Sequence, residues 1–285
     1  MCGRYTLTSF DNLQVEFGLA AAPELAAPRY NIAPGQMVPV VQNRPERTLT
    51  AVRWGLVPYW ADDPRIGNRM INARSESVTE KPAFRHALSR RRCLVVADGF
   101  YEWQRPALPS GSAAGPARST GRGGTKIPHY IHRRSGAPFG MAGLWERWKA
   151  PDGNWLETCT ILTCDANALM APLHARMPLI LDRASYDLWL DPAPLAPEAL
   201  APLFATPPVG DFEAYSVSTL VNAPQYDDPA CIAPAPAEAA QTPRAGTGDP
   251  GQRPARARSA RKPARRETQP SLFDPRPGST PGPKA

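Results

Sequence analysis

The sequence predicts an α+β fold built on a largely antiparallel sheet or barrel. Two observations carry this. Helix-like stretches fall between clusters of short strands without the regular βαβ period of a parallel sheet. The strand-like runs, among them PHYIH, FGMAGLW, TCTILTC and MPLIL, are each bounded by turn residues. Apolar patterning fades near residue 233, and no internal repeat is visible, so the simplest division is one domain over residues 2–234 and a disordered tail over 235–285.

Taken in order, residues 9–19 place Phe10, Leu13 and Phe17 on one helical face behind Ser9, which predicts a capped helix. A turn at Pro34-Gly35 leads into the apolar strand QMVPVV, and TLTAVRW reads as its partner. The aromatic stretch WGLVPYW is interrupted by Pro58 and predicts a shaped loop. In INARSE, residues alternate so that Asn72 and Arg74 share a face. PAFRHALSRRR predicts a helix, and CLVVAD a buried strand delivering a turn over residues 98–103. Residues 104–127 become rich in Gly, Ser, Ala, Pro and Arg, the composition of a mobile insertion. A capped helix near SYDLWL, an Ala/Leu helix at PEALAPLF and a late strand at EAYSVS complete the domain.

Charge is unevenly placed. The formal net charge is +7, and residues 233–285 hold ten Lys and Arg against four Asp and Glu, so the tail alone carries +6. The folded part is close to neutral, and the basic run RPARARSARKPARR is the segment drawn to polyanions. Five cysteines, at positions 2, 93, 159, 164 and 231, show no CxxC spacing, which argues against a zinc site and predicts neither metal nor cofactor. With no recognisable leader and no apolar run near the ~18 residues of a membrane span, the expectation is a soluble, monomeric protein of a reducing cytoplasm.

Chemistry concentrates at the start of the chain. Removal of Met1 ahead of a small side chain would leave Cys2 carrying an α-amine and a thiol, nucleophiles with reference pKa values of about 8 and 8.5. The amine can condense with an aldehyde, and the thiol can then close onto the imine carbon as a thiazolidine. Glu102, flanked by Tyr101 and Trp103, suits acid/base work if partly buried, although a surface glutamate at a strand end would show the same pattern. His174 precedes an apolar strand and fits either proton transfer or packing. His86 fits an exposed helix position, while His129 and His132 fall near the insertion. Asn72 and Arg74 could position a sugar and a phosphate, or form a turn and a solvated surface. Trp54 and Trp60 offer faces for an unpaired base, or serve as core aromatics.

The stretches MCGRY, RYNIAPGQ, WGLVPYWADD, INARSES, KPAFR, DGFYEW, AGLWE, TCTILTCDAN, LHARMPLIL and VNAPQYDDPACI together resemble the SOS-response-associated peptidase (SRAP) family, whose members shield abasic sites in single-stranded DNA. The resemblance implies a β-rich pseudo-barrel with flanking helices and a cleft for single-stranded DNA. It implies Cys2 as the crosslinking nucleophile with Asn72, Glu102 and His174 completing the site. Arg4, Arg74 and Arg176 would face phosphates, with Trp54 and Trp60 near the DNA path. The insertion behind Glu102 is longer than the family pattern and bears on the shape of the cleft. A thiol peptidase, in which Cys2 attacks a peptide carbonyl, is the alternative activity. In the tail, Gln269, Leu272 and Phe273 lie in QPSLF, residues 269–273, which resembles the bacterial sliding-clamp-binding pentapeptide and would bring the protein to replication forks at the nucleoid. If so, alanine at Leu272 and Phe273 abolishes clamp binding in a pull-down; unchanged binding refutes the assignment.

Overall fold

The computed structural model describes residues 2–23, 27–105 and 126–236. The twelve strands among them are β1 (Tyr5–Leu7), β2 (Arg29–Ile32), β3 (Met37–Gln42), β4 (Leu49–Trp54), β5 (Asn72–Arg74), β6 (Arg92–Ala97), β7 (Gly99–Gln104), β8 (Ile127–Arg133), β9 (Phe139–Lys149), β10 (Trp155–Asp165), β11 (Arg176–Pro178) and β12 (Phe212–Ser216). Four short helices accompany them: α1 (Leu13–Phe17), α2 (Pro82–Arg90), α3 (Tyr186–Trp189) and α4 (Pro197–Leu203). Pairings run β10-β4-β3-β6-β9 and return from β9 to β10, so five strands close into a barrel. β5 and β11 extend it along β10. A second, antiparallel sheet runs β12-β8-β7-β1-β2. This is the expected α+β pseudo-barrel.

The closed barrel explains why β6 reads as an unbroken apolar run. Every residue of RCLVVA is buried, with β3 on one side and β9 on the other. Such a strand needs no polar alternation because neither of its faces meets water. The exception is Arg92, fully buried at its start. Its guanidinium donates to Trp189 O at 2.8 Å, Leu88 O at 2.7 Å, Ser89 O at 3.1 Å and Ala193 O at 2.7 Å, and also to Asp191 O. The carbonyls left over at the ends of α2 and α3 are thereby satisfied by one cation. Replacing Arg92 with leucine strands these acceptors, and a loss of about 3 kcal/mol or more is expected in the urea unfolding midpoint.

Several local expectations give way to tertiary contacts. The helix expected over 9–19 is only α1. Asn12 (φ 62°) and Gly18 (φ 60°) bracket it in left-handed conformations, and Ser9 does not cap it because its amide donates to Asp98 Oδ2 at 2.9 Å. The apolar face is nonetheless as predicted, with Leu13 and Phe17 buried. Around SYDLWL the helix is a single turn, uncapped by Ser185. The turn expected over 98–103 is strand β7, held between β1 and β8. Asp98 forms the corner, accepting from Thr6 Oγ1, Thr8 N and Thr8 Oγ1 as well as Ser9 N, and so fastens β1 to the β6–β7 junction.

WGLVPYW is the shaped loop expected. Gly55 (φ 128°) lies so close to Gly67 that an added Cβ would meet Gly67 O at 2.7 Å, which fixes both positions as glycine. Trp148 under the loop donates its indole N–H to Ala61 O at 2.6 Å. The insertion core, residues 106–125, and the tail from residue 237, with Gln269, Leu272 and Phe273, lie outside the described residues. Among the described residues no helix is long and apolar enough to cross a membrane.

Candidate active site

The second sheet places Cys2. β1 runs between β7 and β2, and Tyr101 N donates to Arg4 O at 3.0 Å, holding the first residues beside β7. Cys2 is fully buried, its Sγ 3.7 Å from Arg4 O. Its own carbonyl accepts from Asn72 Nδ2 at 2.8 Å. Asn72 opens β5 and sits opposite Ile161 of β10, while Ala73 turns into the core and Arg74 into solvent, so the predicted alternation holds. The other amide atom, Asn72 Oδ1, is buried and accepts no hydrogen bond.

Glu102 sits on β7 and is 2 % exposed. Its carboxylate acts on Cys2: burial pushes the thiol well above its ordinary range, and the negative charge of Glu102 pushes it further in the same direction. Near neutral pH the sulfur is therefore a thiol, not a thiolate. Two residues beyond Glu102, Gln104 Nε2 reaches Pro172 O at 3.4 Å, tying the end of β7 to the loop that carries His174. His174 Nδ1 lies 2.9 Å from Arg176 N and 3.1 Å from Arg176 O. The backbone N–H can only donate, so Nδ1 accepts and the neutral ring carries its proton on Nε2.

The expected nucleic-acid contacts divide. Trp60 (49 % exposed) and Arg74 face solvent and are available. Trp54 is not: it is 1 % exposed, donates its indole N–H to Ile71 O at 2.8 Å and meets Tyr5 edge-on at 5.4 Å. It is a core aromatic, because β4 turns it into the barrel. Arg176 is held by protein carboxylates, bidentate with Glu76 (2.5 and 3.0 Å) and 2.7 Å from Asp165, so its charge is already neutralised. The same contact keeps Glu76 below the usual carboxylate range. Arg4 is likewise engaged, donating to Asn31 Oδ1 at 2.8 Å, to Val221 O and to Asn222 O at 3.3 Å. It clasps the N-terminal strand to the closing segment VNAPQYDDPACI.

Residue-type patterns missed the partners of that clasp. Asn31 is fully buried and donates to Val221 O (3.2 Å), Ala223 O (3.2 Å) and Tyr226 O (2.7 Å) while accepting from Arg4. Asp227 accepts from Arg29 Nε, Tyr30 N and Asn31 N. The signal lay in RYNI and YDDP, two polar motifs almost 200 residues apart whose pairing local sequence does not announce. Among the described residues no group of three or more His, Cys, Asp or Glu is arranged to hold a metal ion.

A closed barrel with a buried cysteine at residue 2, gripped through its carbonyl by Asn72 and facing a buried carboxylate, defines the class. The chain belongs to the family described as SOS response associated peptidase (SRAP), whose model matches residues 1–224. It is similar to the abasic site processing protein YoqW of Bacillus subtilis (strain 168), with 42 % identity over 236 residues that span 81 % of this chain and 99 % of the relative. The mouse abasic site processing protein HMCES is 31 % identical over 241 residues, 75 % of this chain and 67 % of that one. Among solved structures, a protein from Bacteroides thetaiotaomicron superposes with a TM-score of 0.69 at 25 % identity, covering 82 % of this chain and all of the other. A phage-related protein from Bordetella bronchiseptica gives 0.57 at 29 % identity, covering 76 % and 94 %.

Proposed function

We propose that the protein processes abasic sites in single-stranded DNA by forming a covalent thiazolidine through Cys2, shielding the lesion during the response to DNA damage. The observation that carries this reading is the protonation state of Cys2. A peptidase needs a thiolate, which forms where positive charge lowers the thiol's pKa. Here burial and Glu102 do the opposite. A thiazolidine needs no free thiolate, because the amine attacks first and the thiol adds to a cationic iminium while giving up its proton. The relatives' names point to the same lesion.

The steps follow from these groups. With Met1 removed, the neutral Cys2 amine adds to C1′ of the ring-opened deoxyribose aldehyde, giving a carbinolamine. An acid protonates the hydroxyl, water leaves, and an iminium forms. The sulfur then attacks the same carbon, and its proton passes to a base. The water's two hydrogens thus come from the nitrogen and the sulfur. Glu102 serves as both acid and base, giving one proton and recovering one. The Nε2–H of His174 can donate to the sugar oxygen as the ring opens. Asn72 fixes the Cys2 backbone, so the amine and thiol hold one geometry about the incoming carbon. Trp60 and Arg74, both exposed, supply a stacking face and a phosphate contact for the strand.

Intact mass spectrometry of the full chain, incubated with an oligonucleotide holding one abasic site, tests the reading. The expected product is protein without Met1 plus DNA minus one water, with the modification mapped to Cys2. Multiple turnover of a peptide without any covalent DNA product would establish the peptidase instead.

A further inference from the structure

In the sheet, Glu102 has a titratable neighbour that the steps above leave unused. β7 and β8 pair antiparallel with Glu102 opposite His129 and Tyr101 opposite Tyr130. Opposed residues project to the same face with Cβ atoms about 4.5–5.5 Å apart. Tyr101 and Tyr130 obey this on one face, their rings 5.2 Å apart. Glu102 and His129 therefore share the other. On its far flank His129 is opposite Ser216 of β12, which brings no charge. The titratable groups gathered about this point are Glu102 from β7, Cys2 from the N-terminal segment and, across the Gln104–Pro172 link, His174 from the loop before β11.

The tautomer of His129 is set by its own strand. Nδ1 lies 3.2 Å from Ile127 O. A carbonyl can only accept, so Nδ1 donates, and Nε2 of the neutral ring is a base. His174 is fixed the opposite way, with Nδ1 accepting from Arg176 N–H. The site thus pairs one imidazole able to take a proton with another already presenting one.

We propose that His129 is a positioning residue that acts through Glu102, storing on Nε2 the proton that the carboxylate gives and recovers during crosslinking. At rest the pair holds one proton on the imidazole. As the carbinolamine hydroxyl departs, that proton passes through Glu102 to the oxygen and leaves in water. As Cys2 sulfur attacks the iminium carbon, the thiol proton passes to Glu102 and back to Nε2. One water is lost, and the pair ends as it began. The proposal rests on the crosslinking reading above.

The test is the single-turnover rate of crosslinking by the full chain, from pH 5.5 to 8.5, for wild type, His129→Gln and His129→Phe, the last placing a strand-compatible apolar ring in the same space. Wild type is expected to exceed both variants about tenfold at pH 6 and to match them within about twofold at pH 8.5, where an imidazole no longer holds the proton. Final adduct mass, final yield and affinity for undamaged single-stranded DNA stay unchanged. In His129→Ala, added imidazole restores the rate, which a purely structural role would not allow. Parallel pH profiles for wild type and variants, or no rescue, overturn the relay while leaving the crosslinking reading intact. A wild type that forms no adduct at any pH refutes both.

Discussion

Replacing Cys2 with alanine abolishes the heat-stable adduct and leaves strand cleavage in its place. Alanine keeps the α-amine, so the imine still forms, but nothing closes on its carbon. An open imine at C1′ acidifies the neighbouring C2′ protons and permits β-elimination of the 3′ phosphate, which cuts the strand. On a denaturing gel after heating, wild type yields a shifted band, whereas the variant yields shortened DNA and adduct lowered by about 100-fold or more. Borohydride added during incubation traps the variant's imine and recovers a band. Cys2→Ser falls between, because its oxazolidine opens more readily than the sulfur ring. A heat-stable band of wild-type intensity from Cys2→Ala, without reductant, would exclude the thiazolidine.

Glu102→Gln separates two roles that one carboxylate plays here. The charge of Glu102 makes the Cys2 thiol harder to ionise, second in effect to burial. Removing it renders the thiol modestly more acidic, so alkylation of Cys2 by iodoacetamide speeds up. If the only effect of Glu102 on the reaction were to suppress the thiolate, crosslinking would quicken too. As the proton carrier for both water departure and thiol attack, its loss instead slows crosslinking, by about 10²–10⁴-fold. Opposite changes in the two rates within one variant are the expected result. They are measured by quench-flow gels for the DNA reaction and by mass spectrometry for alkylation. Crosslinking that accelerates alongside alkylation would assign Glu102 a purely electrostatic role.

Much of the barrel was legible from local pattern. RCLVVA and TCTILTC are continuous apolar runs because both faces of β6 and the centre of β10 are covered, and the alternation of Asn72, Ala73 and Arg74 follows the pleat of β5. The errors share a cause. Residues 98–103 looked like a turn because Asp98-Gly99 is a turn signal, yet Asp98 spends its carboxylate on Thr6, Thr8 and Ser9 and leaves the following residues free to pair. Trp54 and Arg176 bear side chains suited to DNA, but residue type does not record that one is turned into the barrel and the other faces Glu76 and Asp165. His129 looked incidental because it adjoins the insertion, and only strand pairing puts it opposite Glu102.

Sequence by itself determined the fold class, the two nucleophiles that Cys2 would carry as first residue, and the order of motifs that marks the family. These are properties of residue type and of spacing along the chain, which apolar periodicity and chemical identity report directly. Tertiary structure alone decided which side chains meet. The grip of Asn72 on the Cys2 carbonyl spans 70 residues, and the clasp of Arg4 on Val221 spans 217. Burial, which keeps the Cys2 sulfur a thiol, is likewise a property of the closed barrel and its covering sheet, since no residue can desolvate itself.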